Sequence, residues 1–224
     1  DMDLVNFVKN KKKASFSASF GINELPTEYL EKTRLALNDF DNLSVREDAG
    51  KKIIDDLNID KDVEVLIDPT MMLTTDEWDK VCKVPKQILK LNGKKYILNY
   101  FLGNLSEERK KEIQRIATEN DCEIINILDK NDPFFISGPS EFLWLEKNAF
   151  LICTDSFHSS VFAILYNRPF IVFNREDKTK SMNSRIETLI SKFNLKNREY
   201  NGKNITQENL KHDYTEAYKI LEQE

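Results

Sequence analysis

Seven consecutive residues, Thr154-Asp155-Ser156-Phe157-His158-Ser159-Ser160, bring together the side chains best suited to acid–base and anion chemistry in this chain. They follow the apolar run Phe150-Leu151-Ile152-Cys153 and contain one of only two histidines. An imidazole titrates near neutral pH, so His158 can give or take a proton there. Ser156, Ser159 and Ser160 add hydroxyl donors. A helix starting among them would present backbone N–H groups and the positive end of its dipole to an anion. The stretch reads as a place to hold a phosphate or carboxylate beside a titratable ring. A plainer reading stands next to it: a lone histidine at a strand end also serves as a structural residue, and Asp155 as a turn residue or cap.

Two other groups occupy comparable places. Arg46 and Glu47 follow Leu43-Ser44-Val45, and Asp68 follows Val65-Leu66-Ile67. In open α/β sheets, ligands bind beyond the carboxyl ends of the strands. The same residues also read as an ordinary surface pair and a turn. The second histidine, His212, lies in a polar tail and reads as surface. The chain has no P-loop, G-x-G-x-x-G, H-E-x-x-H or G-x-S-x-G motif, so no single pattern fixes the chemistry.

Strand-like and helix-like segments alternate around these residues. Lys13 to Phe20 reads as a strand. Thr27 reads as an N-cap before the apolar stripe Tyr29, Thr33, Ala36, Leu37 and Phe40. Leu43 to Val45, Val63 to Ile67, Tyr96 to Phe101, Glu123 to Leu128, Phe150 to Thr154 and Pro169 to Phe173 read as further strands. Helices are expected at Asp48–Leu57, after Thr75, after Ser106, at Pro139–Asn148 and at Ser159–Tyr166. The tail from Asn183 reads as mainly helical, with a polar break near residues 201–204. Strands apolar on both faces, alternating with helices, imply a parallel sheet covered on both sides. The polar segment 83–94, with Pro85 and Gly93, is the candidate linker. It divides the chain into two α/β units, 1–85 and 86–224.

Composition narrows the partners. The 33 Lys and Arg against 38 Asp and Glu give a net charge of -5, which argues against a nucleic-acid binder. The run Lys9, Lys11, Lys12, Lys13 reads as solvated surface. Cys82, Cys122 and Cys153 are odd in number and show no C-x-x-C spacing. That fits a reducing compartment without a disulfide framework or zinc site, and no metal is expected. Cys153 reads as core filler. No apolar run approaches a membrane span. No signal peptide is visible, but the chain opens on Asp1 rather than Met, so that absence carries little weight.

The order of the segments "ASFG" (18–21), "LSVRE" (43–47), "IDPTMML" (67–73), "YILNYFLG" (96–103), "GPSEFLWLEKNAFLICTDSFHSSVFAILYNRPFIVF" (138–173) and "NSRIETLI" (183–190) resembles the polysaccharide pyruvyl transferase family. The resemblance covers Lys13 to about Arg198. It implies a GT-B-like α/β fold of two Rossmann-like domains, the N-terminal one incomplete here. It also implies transfer of a pyruvyl group from phosphoenolpyruvate to two hydroxyls of a saccharide acceptor, lipid-linked acceptors included, forming a cyclic ketal. By this resemblance His158 is the acid–base residue and Arg46 clamps the anionic donor. Ser156, Ser159 and the following amides complete the anion pocket, while Glu47 and Asp68 orient groups or accept a proton. Many members carry an Arg two places before the motif histidine, where this chain has Ser156. A serine lacks the charged fork of Arg, and Arg185 is the expected substitute. The resemblance further implies a cytoplasmic, bacterial cell-envelope pathway, peripheral at the inner face of the membrane, with no cofactor beyond the donor. Two other readings remain: a GT-B-type glycosyltransferase using a nucleotide sugar, and a non-catalytic module binding a glycan or partner.

Overall fold

A computed structural model describes residues 4–5, 7–175 and 183–223. These form two compact units. Unit 1 comprises the described residues up to 69 together with 183–189, and unit 2 comprises 70–175 with 190–223. The segment 83–94, expected to link the units, lies inside unit 2. Its apolar Ile88 and Leu91 fall on a 3₁₀ turn, Lys86–Leu91, and Leu91 is buried.

Unit 1 is built on two parallel strands, β1 (Leu43–Val45) and β2 (Val63–Val65), in register Leu43 to Val63. The helices α1 (Leu30–Asn38) and α2 (Asp48–Asp56) bury Leu37, Ile54 and their neighbours against Phe40, Leu43 and Val45. Burial of each such side chain is worth about 1.5–3 kcal/mol. Lys13 to Phe20, expected as a strand, runs beside β1 but makes only isolated bridges at Ala14 and Ala18. The interruption is Ser17, at φ +50°, whose N–H donates to Ser44 Oγ rather than to a backbone carbonyl. The chain there is held by side chains instead of a regular ladder. Thr27 makes no cap: it sits in a 3₁₀ turn that Pro26 begins. Lys13, read as solvated, is buried and ion-paired with Asp39.

Unit 2 carries a four-stranded, wholly parallel sheet in the order β4-β3-β5-β6, formed by β3 (Lys95–Tyr100), β4 (Cys122–Asn126), β5 (Leu151–Thr154) and β6 (Phe170–Val172). Alternation along the strands sends Ile97, Leu151, Cys153 and Ile171 to one face, where they pack with Ile113, Ile116 and Ala117 of α4 (Glu107–Glu119). Cys153 is core, as its apolar setting implied. The helices α5 (Pro139–Asn148) and α6 (Phe157–Leu165) pack together, and α6 lies against β5 and β6. Thr74, not Thr75, caps the short α3 (Thr75–Asp79), in a reciprocal box with Glu77. The tail adds α7 (Ser184–Lys192), α8 (Gln207–Leu210) and α9 (Thr215–Leu221). Both units are α/β with parallel strands, consistent with a Rossmann-like fold. Among the described residues no helix is long and apolar enough to cross a membrane.

Candidate functional site

The helix after β5 starts two residues before the expected Ser159. Ser156 is its N-cap, and its Oγ accepts from Ser159 N at 3.5 Å. His158 therefore stands on the first turn of α6, not ahead of it. From Leu151 to Tyr166 every residue is buried except His158, which is exposed. A stretch this apolar would hide all its side chains; one imidazole is turned out at the carboxyl end of a central strand, against the positive end of the helix.

The other polar groups of the stretch build the junction. Thr154 Oγ1 donates to Tyr100 O at 2.7 Å and accepts from Ser156 N at 3.0 Å. The Asp155 carboxylate accepts from Leu102 N and Gly103 N, at 2.7 and 2.8 Å, which ties the turn after β3 to the turn after β5. Its Oδ2 also lies 3.4 Å from Arg175 Nε. Ser160 Oγ donates to Ser156 O at 3.1 Å. Ser159 is fully buried, and its hydroxyl donates to Glu146 Oε1 on α5 at 2.5 Å. The Ser159 hydroxyl thus holds the helix from inside rather than facing a solute. Burial pushes the Glu146 carboxyl up to about 8, against the lowering effect of the Ser159 bond.

Unit 1 assembles the second group. Arg46 Nη1 donates to Asp68 Oδ2 at 2.5 Å, and Arg46 Nε lies 4.0 Å from Glu47 Oε2. Both carboxylates are almost wholly buried, while Arg46 keeps some exposure. Glu47 Oε1 accepts from Ser19 Oγ, Phe20 N and Gly21 N at 3.0, 2.9 and 3.4 Å. Glu47 is thus a clamp on the loop at 19–21, and Asp68 with Glu47 fixes the guanidinium at the end of β1. A groove of about 530 Å³ in this unit is lined by apolar groups such as Leu37, Phe40 and Ile54, and Arg46 and Asp68 are not among its lining residues.

Arg185 is half-buried on α7 and counts with unit 1, where Thr188 Oγ1 of the same helix accepts from Asp48 N at 3.1 Å. Within unit 2 the turn at Asp155 carries an arginine of its own, Arg175. Sequence reading passed over it, although it follows β6 as Arg46 follows β1. Glu146 was also missed. Its signal is a carboxylate at the spacing of Phe142, Leu143 and Ala149, on the apolar stripe of α5. His212 is half-buried rather than surface, and its Nε2–H donates to Asn167 O at 2.8 Å. Among the described residues no three His, Cys, Asp or Glu side chains converge as a metal site would require.

Each unit thus places a buried Asp–Arg pair at the carboxyl ends of its parallel strands, and unit 2 adds an exposed imidazole. The family model for polysaccharide pyruvyl transferases matches residues 2–177, and the chain belongs to that family of transferases. A search of curated proteins finds no match.

Proposed function

We propose that the chain transfers a pyruvyl group from phosphoenolpyruvate to two hydroxyls of a cell-surface glycan, on a GT-B-like frame. His158 is the acid–base residue. It passes a proton to the terminal methylene carbon of the enol phosphate, which becomes the methyl group. The neighbouring carbon becomes electrophilic, a sugar hydroxyl adds to it and the carbon–oxygen bond to phosphate breaks. The second hydroxyl closes the ketal. One hydroxyl proton replaces the proton that His158 gave, and the other leaves with phosphate. Arg46 binds the anionic donor, held in place by Asp68 and Glu47. Ser156 and Ser159 shape the helix end, whose dipole favours negative charge. Arg175 adds positive charge beside that turn.

The observation that carries this reading is the single exposed imidazole on an otherwise buried strand-to-helix junction, in a chain of this family. A general acid–base residue contributes about 10²–10⁴ in rate. His158→Asn is expected to lower turnover by that factor while calorimetric affinity for phosphoenolpyruvate stays near wild type. Arg46→Ala is expected to weaken the donor instead. Binding of a nucleotide sugar with no response to phosphoenolpyruvate would transfer the site to the glycosyltransferase reading.

A further inference from the structure

Glu146 is fully buried, and among the described residues no basic group offsets its charge: burial raises its pKa and the Ser159 bond opposes that. One oxygen accepts from Ser159 Oγ at 2.5 Å, and the other, Oε2, has no hydrogen-bond partner among the described residues. An isolated carboxyl in such a setting is costly, and an apolar residue would fill the stripe of α5 at less cost. Its one bonding partner is the residue after His158. Ser159 N in turn donates to Ser156 Oγ, and Ser160 Oγ donates to Ser156 O. The bonds therefore grip the backbone on both sides of the imidazole.

We propose that Glu146 is a positioning residue for His158: from beneath α6 it holds Ser159, and through Ser159 the first helical turn, in the orientation that carries the imidazole outward. It does this as a neutral acid, since the carboxyl keeps its proton up to about pH 8. The titratable groups that feel its charge are Tyr96 and Tyr100 of β3 and Tyr166 after α6, phenols whose ionisation it opposes. Arg168 acts on Tyr96. Above pH 8 a buried negative charge arises one turn below the helix start, alters the grip on Ser159 and favours the protonated form of His158.

The test reads the imidazole itself, so it is independent of whether pyruvyl transfer is the reaction. The full chain has two histidines, and a His212→Gln variant assigns their proton resonances. In the wild type, the His158 shift is expected to show its own titration and a second inflection near pH 8. Glu146→Gln keeps an acceptor for Ser159 and is expected to abolish the inflection alone. Glu146→Leu removes the acceptor and is expected to move the His158 midpoint by about half a unit or more, with His212 unchanged. Where Glu146→Leu fails to fold, Ser159→Ala removes the same bond from the other side. Curves for Glu146→Leu or Ser159→Ala that superimpose on wild type overturn the proposal. An unshifted alkaline inflection in Glu146→Gln overturns the neutral-acid part of it.

Discussion

Asp155 is expected to be the costliest residue of the strand-to-helix junction to remove. Asp155→Ala deletes the acceptor of two backbone N–H groups, from Leu102 and Gly103, and withdraws the carboxylate from Arg175. The two N–H groups belong to a turn where Leu102 is 51% exposed, so water can replace much of what they lose. The Arg175 side chain is 8% exposed and rehydrates poorly. Removing one partner of a buried pair costs about 3–5 kcal/mol, chiefly through the charge left behind. With a urea m value of about 1–3 kcal/mol per M, a loss of about 4 kcal/mol lowers the midpoint by about 1–4 M. Trp78 and Trp144, the only tryptophans, both lie in unit 2, so their fluorescence follows the unit that contains Asp155. The double variant Asp155→Ala with Arg175→Met removes the stranded charge and is expected to be more stable than Asp155→Ala alone, by about 1–2 kcal/mol. A loss below about 1 kcal/mol in the single variant, or strict additivity in the double, would refute the argument that the pair governs this turn.

Two further outcomes concern buried carboxyls. The Glu146 carboxyl is raised from 4.5 to about 8, so the folded chain keeps a proton that the unfolded chain releases. Stability then falls as pH rises from about 4.5 to about 8 and is level above, with a slope of about 1.4 kcal/mol per pH unit at most. Glu146→Gln is expected to flatten that slope, and equal pH dependence of urea midpoints in the two proteins would contradict it. In unit 1, Glu47→Ala orphans the loop donors at Phe20 and Gly21. It is expected to cost about 2–4 kcal/mol, since hydrogen bonds to a charged group contribute about 1.5–3 kcal/mol. Hydrogen exchange of those two amides, which should accelerate strongly, checks it.

The sequence made the strands and helices of both units legible because each buries a continuous apolar run, and the family resemblance rests on their order. Errors fell where side chains replace backbone regularity. Lys13 to Phe20 has strand composition, but Ser17 adopts a left-handed conformation and Ser44 Oγ takes its N–H. Sequence reading starts α6 at Ser159, whereas Ser156 is its cap and the helix begins at Phe157. His158 stands out in the sequence by rarity, and the fold leaves it exposed. Glu146 and Arg175 did not stand out, because their partners lie across the fold: Ser159 is on the next helix, and Asp155 is in the turn after the neighbouring strand β5. Periodicity marks a residue as buried but does not name what meets it.

The two units share one device that neither sequence half announces. At the carboxyl edge of each sheet, an arginine following one strand meets an aspartate following the neighbouring strand: Arg46 after β1 with Asp68 beyond β2, and Arg175 after β6 with Asp155 after β5. All four side chains are at most 17% exposed. Buried pairs of this kind at best break even against apolar replacements, so stability does not account for finding one in each unit. What such a pair does supply is a guanidinium whose position is fixed before any ligand arrives, and pre-organised charge acts on an anion without reorganising at the moment of reaction. That property suits the proposed donor, which carries a phosphate and a carboxylate. In the proposed reaction, Asp68 and Asp155 hold their arginines ready for an anion.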